Sequence, residues 1–553
     1  MLSDLRGYFA GPAREDVVAA LVVAILLVPQ CLAYALLAGL PAQAGLYASL
    51  LPLLAYALLG SSPLLGIGPV ALLALMIAQA VHATPGVVPT QVALVLAAEV
   101  GVLLGLAACL RLDSLASLLS APVLRGFETG AALTIVASQL PELLGASVRG
   151  SALPEVVRNW LGAARPWNSA SAAFGLVALA LLWGARGRVR RLVGRWRPDA
   201  QARMVERLVP LGLLALAMGV AALWQVQRAG VSLVGALPMI ALPLAWPPRD
   251  AALWWQLLPS AATIALVAYV SSLAVAESLA FRRGQRIAPR RELAGLAGAN
   301  LVAAVSGGMP VAGSFSRSIV NFDAGTRTRA GGAWVALAMA LATALLSTPL
   351  AWLPKPVLAA TIIVAMLASL NFVPFRQAQL YARAEWLLMC SVALLTACVG
   401  VEAALAVGVG GSIALLLQRT ARPHVALIGR VPGTQHFRNV ERHAVEPTPG
   451  VVQLRIDESL VFTNARQLFD CVAAATATAG TRRVVLLMSP VNAIDYSGLE
   501  ALQALHDALA ARAIRLDLSE LKGPVLDRLR HSDWERWFKG KVYLSHHLAV
   551  QDC

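Results

Sequence analysis

A chain of 553 residues that is 58% hydrophobic and only 14% charged does not have the composition of a soluble globular protein. Apolar runs of about twenty residues recur from Val17 to Leu417, which reads as a polytopic helical membrane protein. The formal net charge of +15 does not point to nucleic acid, because the arginines fall between the apolar runs, as membrane topology requires.

The expected organisation is an N-terminal segment 1–16, a membrane domain 17–418, a polar linker 419–449 and a small α/β domain 450–553. The first span, Val17–Ala38, is expected to be broken at V-P-Q-C-L-A-Y (28–34), where Pro29 removes a helix hydrogen bond at mid-depth. Gln30 and Tyr34 lie four apart there, on one helix face. A second span covers Ala44–Gly60. G-S-S-P-L-L-G-I-G-P-V-A (60–71) then leads into only half a span, ending at Ala80. Spans follow at Gln91–Leu110, Pro122–Leu144, Ala170–Trp183, Val209–Val226, Leu258–Phe281 and Glu292–Val305. A second half-span, Ser314–Ala324, precedes spans at Gly331–Ser347, Pro356–Leu370, Trp386–Val399 and Glu402–Leu417. The loops holding the Arg186–Arg207 cluster, Arg282–Arg291, Arg327/Arg329 and Arg376/Arg383 share one side, which places both termini in the cytoplasm.

The stretch Ser306–Arg329 is the most unusual. Its Gly307–Gly313 run resists helix, and a helix is expected to start near Ser314. Irregular backbone at membrane depth must line a cavity or be buried in protein. A fresh helix N-terminus there suits an anion. Arg317, one turn in, either supplies positive potential to that anion or satisfies nearby carbonyls or a carboxylate. Ser314 and Ser316 act either as donors to the anion or as a helix cap. Fourteen spans with the third and tenth interrupted divide as seven plus seven, which inverts the two halves. Pro69-Val70-Ala71 and Pro310-Val311-Ala312, 241 residues apart, look like matching positions. The fold class expected is therefore an all-α polytopic membrane domain of inverted repeats with half-helices three and ten, plus a cytoplasmic α/β domain.

In the tail, residues 451–456, 483–488 and 514–518 read as strands, with helices at Asn464–Ala479, Ser497–Arg512 and Gly523–His531 and a last strand at Val542–Leu544. The six cysteines form no C-x-x-C pair and the histidines no metal spacing, so no metal and no cofactor are expected. No nucleophilic triad or phosphate-binding loop is present, which argues against an enzyme and against ATP-driven transport.

Four stretches resemble the SulP anion transporters: residues 28–50, 59–71, R-E-L-A-G-L-A-G-A-N (291–300) and G-S-F-S-R-S-I-V-N-F-D-A-G-T-R-T (313–328). The tail resembles their STAS domain. The resemblance implies a bacterial inner-membrane secondary transporter, usually a homodimer, with a core domain moving against a gate domain. It implies an anion held between the N-termini of helices three and ten, near Val70, Ala71, Ser314, Ser316 and Arg317, with Gln30 and Tyr34 as walls. Sulfate is the expected substrate; bicarbonate, chloride and dicarboxylates are the alternatives. A nucleobase transporter is disfavoured by the tail, and a membrane-tethered signalling protein is the remote alternative. Ser271 stands where many bacterial and plant relatives carry the acid tied to cation coupling. Glu277, six residues on, points about 240° round the helix and cannot simply replace it, leaving it a coupling or gate candidate or an ion-pair partner of Arg282/Arg283. In N-A-I-D-Y-S-G-L-E-A-L (492–502), Ser497 matches the serine phosphorylated in anti-sigma-factor antagonists. It is a candidate regulatory site, with a plain helix cap at Asp495 or Ser497 as the other reading. A cytoplasmic partner of this domain is also expected.

Overall fold

The computed structural model describes residues 12–114, 119–146, 148, 150, 152–163, 167–193, 195, 199–236, 244–477 and 480–552. Residues 1–11 of the expected N-terminal segment, Arg197 of the arginine cluster, and Cys553 lie outside them. Two compact units divide at Ser412/Ile413.

The first unit is helical. In order it contains α1 (Pro12–Leu37), α2 (Ala42–Tyr47), α3 (Leu51–Leu59), β1 (Gly66–Gly68), α4 (Ala71–Ala83), α5 (Pro89–Cys109), α6 (Ala121–Leu143) and α7 (Leu153–Leu161). Next come α8 (Ser169–Ala185), α9 (Arg188–Val193), α10 (Asp199–Trp224), α11 (Ala251–Arg282), α12 (Pro289–Val305) and β2 (Ala312–Ser314). The last are α13 (Phe315–Asp323), α14 (Ala330–Leu350), α15 (Lys355–Ser369), α16 (Val373–Tyr381), α17 (Arg383–Cys398) and α18 (Val401–Ala421), which runs past the division. Among the described residues, seven helices are long and apolar enough to cross a membrane, and Ala71–Ala83, Ser169–Ala185 and Leu208–Trp224 are shorter apolar helices.

Local chemistry sets several helix starts. Pro89 and Pro289 open α5 and α12, where a fixed φ suits the first turn. Asn168 caps α8 by accepting from the Ser171 amide, and Asp250 caps α11 by accepting from Ala252. Two expectations change. α1 runs unbroken through Pro29, since one proline removes one N–H and the helix has long apolar packing on either side. The second span is instead broken, into α2 and α3, at Ala48–Leu50. Packing sorts the helices into two groups. α12 lies against α5 and α3, α11 against α5 and β2, and α14 against α1; separately, α15 lies against α6 and α8, and α17 against α6.

The second unit is a six-stranded sheet. Its strands are β3 (Val425–Arg430), β4 (Phe437–Asn439), β5 (Val451–Ile456), β6 (Arg483–Leu487), β7 (Arg515–Ser519) and β8 (Val542–Tyr543), ordered β4-β3-β5-β6-β7-β8. β5 to β8 are parallel, and β3 pairs antiparallel with both β4 and β5. Helices α19 (Ala465–Ala475), α20 (Tyr496–Ala510), α21 (Gly523–Arg530), α22 (Trp534–Trp537) and α23 (His546–Gln551) complete it. The stretch expected as a linker thus contributes two strands; prolines at 423 and 432 bracket β3 rather than forbid it. Leu454, Ile456, Leu486, Leu502 and Leu518 form the core with Leu468 and Trp534.

A polar knot lies within this unit. Buried Arg483 pairs with buried Asp517, whose other oxygen accepts the Lys541 amide at 2.6 Å. Buried His546 joins Ser519 Oγ through Nδ1 (2.7 Å) and Gln453 Oε1 through Nε2 (3.1 Å). Burial pushes the His546 imidazole down from 6.5 to about 4, outweighing the upward pull of Glu520, with a smaller downward contribution from Arg483. The unfolded chain takes up this proton near pH 6.5 and the folded unit near pH 4. The neutral imidazole therefore contributes fully above pH 6.5, and about 3 kcal/mol is lost as pH falls to 4. Hydrogen exchange of β5–β7 in the full chain, corrected for intrinsic rates, is expected to show that loss, and His546→Asn to abolish its pH dependence.

Candidate anion site

The two glycine-rich interruptions meet. β1 and β2 pair antiparallel, with Gly66 opposite Ser314, Ile67 opposite Gly313 and Gly68 opposite Ala312. Each strand feeds a helix: β1 leads through Pro69-Val70 into α4, and β2 runs directly into α13. Ala71 therefore opens a helix while Ala312 sits in a strand, so the two P-V-A triplets are not equivalent positions. Small residues permit the crossing. A Cβ on Gly66 would lie 2.8 Å from the Arg317 Cβ, and Gly68 has φ +150°. Val70 and Ser314 occupy the cap positions of α4 and α13, and neither helix start is capped by a side chain. Both starts thus lack the usual acceptor for their first N–H groups.

Arg317 is 3% exposed. Its Nη1 donates to the Pro69 carbonyl at 2.7 Å and its Nε points at the Gly66 carbonyl at 3.4 Å. This is the carbonyl-satisfying role, and it ties α13 to the strand that precedes α4. Nη2 is buried and has no partner, and so is Oε1 of Gln30. Both residues line one cavity of about 600 Å³, with Tyr34, Phe315 and Ser316 beside them. The charged residues among its described lining are Arg317, Arg186 and Glu206. The far wall comes from α8, α10 and α15, so the cavity lies between the two packing groups. A second cavity of about 420 Å³ shares Ala33 and Ile362 with the first and is lined beyond them by His82, Gln139, Glu142 and Lys355.

Ser316 is exposed into the first cavity, and its hydroxyl lies 3.1 Å from that of Ser314. Val70, Ala71, Ser271 and Ser314 are not among the lining residues. Ser271 Oγ is spent on its own helix, donating to the Val267 carbonyl at 2.7 Å. Glu277 is exposed and outside the cavity. Of the two arginines expected to pair with it, Arg282 and Arg283, the second donates from Nη1 to the Thr326 carbonyl at 2.6 Å and lays its guanidinium over the Phe322 ring. In the second unit Asp495 is the cap of α20, accepting from Gly498 at 2.8 Å, and Ser497 follows in the first turn, half-buried.

Residues that the sequence reading did not assign hold the site in shape. Asn300 clasps Val311, accepting from its amide (2.9 Å) and donating to its carbonyl (3.1 Å). Ser272 accepts from the Gly313 amide at 2.8 Å, and Ser318 accepts from the Gly66 amide at 2.9 Å. Glu292, fully buried, gathers the Tyr56 hydroxyl and the Ser61 and Ser62 amides. Buried Asp16 accepts from the Arg327 amide at 2.7 Å, just past α13. The available signal was a single polar or acidic residue inside an otherwise apolar helix.

The sulfate permease family matches residues 14–392 and the STAS domain matches residues 443–549. The chain is 31% identical over 564 residues to the chloroplastic sulfate transporter 4.1 of Arabidopsis thaliana, covering 98% of this chain and 80% of that protein. It is 32% identical over 534 residues to a probable sulfate transporter of Mycobacterium tuberculosis, covering 95% and 92%. The fold matches the inward-facing structure of the murine solute carrier 26 family member A9 anion transporter, with a TM-score of 0.86, 22% identity, and 98% and 91% of the two chains covered. Neither matched family is enzymatic, and no group of three or more metal-ligating side chains occurs among the described residues. The chain belongs to the sulfate permease family, membrane-embedded secondary transporters of small anions, and carries a C-terminal STAS domain.

Proposed function

We propose that this chain carries a small oxyanion, sulfate first, across a membrane by alternating access. The anion sits in the cavity beside Arg317, at the start of α13; the start of α4, whose Val70 and Ala71 do not line the cavity, joins the site only by family resemblance. The carrying observation is the buried Arg317 Nη2, which has no hydrogen-bond partner, on a residue that lines the cavity together with Gln30, whose Oε1 is also unpartnered. A buried guanidinium N–H without an acceptor is costly, and a bound anion oxygen satisfies it. Two relatives named as sulfate transporters support sulfate as the anion.

The antiparallel meeting of β1 and β2 supports a fourteen-span, seven-plus-seven inverted repeat in the transport domain. The arginine pattern supports cytoplasmic termini in a bacterial inner membrane. A cavity bordered by Arg186 and Glu206, next to the arginine-rich stretch, supports a conformation open to the cytoplasm. The thin wall at Ala33 and Ile362 is then the barrier that must open on the other side. A homodimer, a cytoplasmic STAS partner and a regulatory Ser497 complete the reading by family analogy. With Ser271 bonded to its own helix and Glu277 outside the cavity, the reading favours exchange or uncoupled movement over cation coupling.

The test is uptake into proteoliposomes of radiolabelled sulfate, bicarbonate, chloride and succinate, each with and without a pH gradient. Sulfate is expected to enter above protein-free vesicles, at a rate the gradient does not change. Movement of another anion alone corrects the substrate; gradient-driven sulfate uptake corrects the coupling; no movement of any anion overturns transport.

A further inference from the structure

The second unit carries a compact basic cavity of about 220 Å³, separate from the anion site of the first unit. It is lined by His424, Arg438, Asn439, Arg442, His443 and Arg455. Three arginines and two histidines therefore face a space that contains no lining carboxylate. Asp457, an acid beside the cavity, is already engaged, and the exposed Glu441 of the turn is not among the lining residues. Asp457 accepts from Arg455 through both oxygens, at 2.5 and 2.9 Å, and meets His424 Nδ1 at 2.9 Å. These bonds hold its carboxylate below the usual range, with the Arg455 hydrogen bonds the main cause, and they keep Arg455 and His424 oriented. Arg438, Arg442 and His443 are exposed, on the end of β4 and the turn after it. That turn is fixed, because the Arg442 and His443 amides donate to the Asn439 carbonyl at 3.2 and 3.1 Å.

A solvated basic face would spread its charges apart. Here they converge from three pieces of chain: the residue before β3, the end of β4 with its turn, and β5. The volume suits a tetrahedral dianionic group with its water. Chain position narrows the source. α18 has the length and composition of a membrane span and ends at Ala421. His424 is three residues on, so this wall of the cavity lies within about 10 Å of that helix end. Arg419 and Arg422 flank the same point. Arginine clusters directly after a span on the cytoplasmic side match the negative surface of that leaflet.

We infer that this cavity binds a phosphate group, supplied by an anionic lipid headgroup at the membrane surface or by free phosphate. Arg438 and Arg442 provide the charged donors, and Arg455, held by Asp457, provides a fixed one. Anchoring there would tie the start of β3 to the lipid.

The experiment uses the full-length chain in detergent. Native mass spectrometry measures retention of phosphatidic acid against phosphatidylcholine, and thermal stabilisation by inorganic phosphate is read in parallel. Arg438→Gln with Arg442→Gln is compared with Arg530→Gln and Arg536→Gln, which removes the same charge from exposed positions elsewhere in the unit. The wild type is expected to prefer phosphatidic acid, and the 438/442 variant to lose roughly tenfold or more of that preference while the control keeps it. Stabilisation by phosphate without lipid preference, lost in the 438/442 variant only, supports the pocket and assigns it to the free anion. Equal loss in both variants, or no response of the wild type to either ligand, overturns the proposal.

Discussion

Replacing Glu292 by alanine is expected to cost about 3–5 kcal/mol and to leave little folded protein. The carboxylate is fully buried in α12 and accepts from the Tyr56 hydroxyl at 2.6 Å, from the Ser61 amide and hydroxyl at 3.0 and 2.5 Å, and from the Ser62 amide at 2.9 Å. Alanine leaves those donors facing an apolar void. The loss also reaches the candidate anion site, because residues 56–62 form the approach to β1. Eight residues, or about 12 Å, further along the same helix, Asn300 clasps Val311 on the approach to β2. One helix thus grips both interrupted segments. Glu292→Gln keeps the shape but turns an amide N–H₂ toward donors, so an intermediate loss is expected. Thermal unfolding of the purified protein in detergent checks both variants; a midpoint unchanged in Glu292→Ala contradicts this account of the scaffold.

Much of this architecture was legible in the sequence because the membrane imposes strong, local rules. Long apolar runs, two short ones and the arginine-rich loops pointed to the spans. Glycine and proline runs at 60–71 and 306–313 marked where the spans break. Arg317 was found because an arginine among apolar segments is conspicuous. What the sequence hid was partnership. Whether Arg317 meets a carboxylate, an anion or carbonyls depends on a strand about 250 residues away, and no local pattern encodes that. The P-V-A triplets looked equivalent because three small residues carry no register; the backbone pairing of Gly66 with Ser314 does. Glu292 and Asn300 were quoted as motif residues without a role, since a buried acid satisfied by amides leaves no opposite charge to find. β3 and β4 were missed because their alternation is short and bracketed by prolines.

In the proposed transport function Arg317 is both strut and ligand. Arg317→Lys keeps the positive charge and one donor for the Pro69 carbonyl, but it lacks the second, unpartnered planar N–H group. Loss of one charge-assisted hydrogen bond to an anion is worth about 1.5–3 kcal/mol, or roughly tenfold to a hundredfold in affinity. Gln30→Leu, which fills similar space without the amide, is expected to weaken binding by a smaller factor and leaves the strut untouched. The decisive measurement is equilibrium binding of radiolabelled sulfate to the purified full-length chain and to Arg317→Lys, each shown to be monodisperse. The wild type is expected to bind sulfate, with affinity at least about tenfold lower in the variant. Equal affinity in the two proteins would contradict an anion bound at the free Nη2.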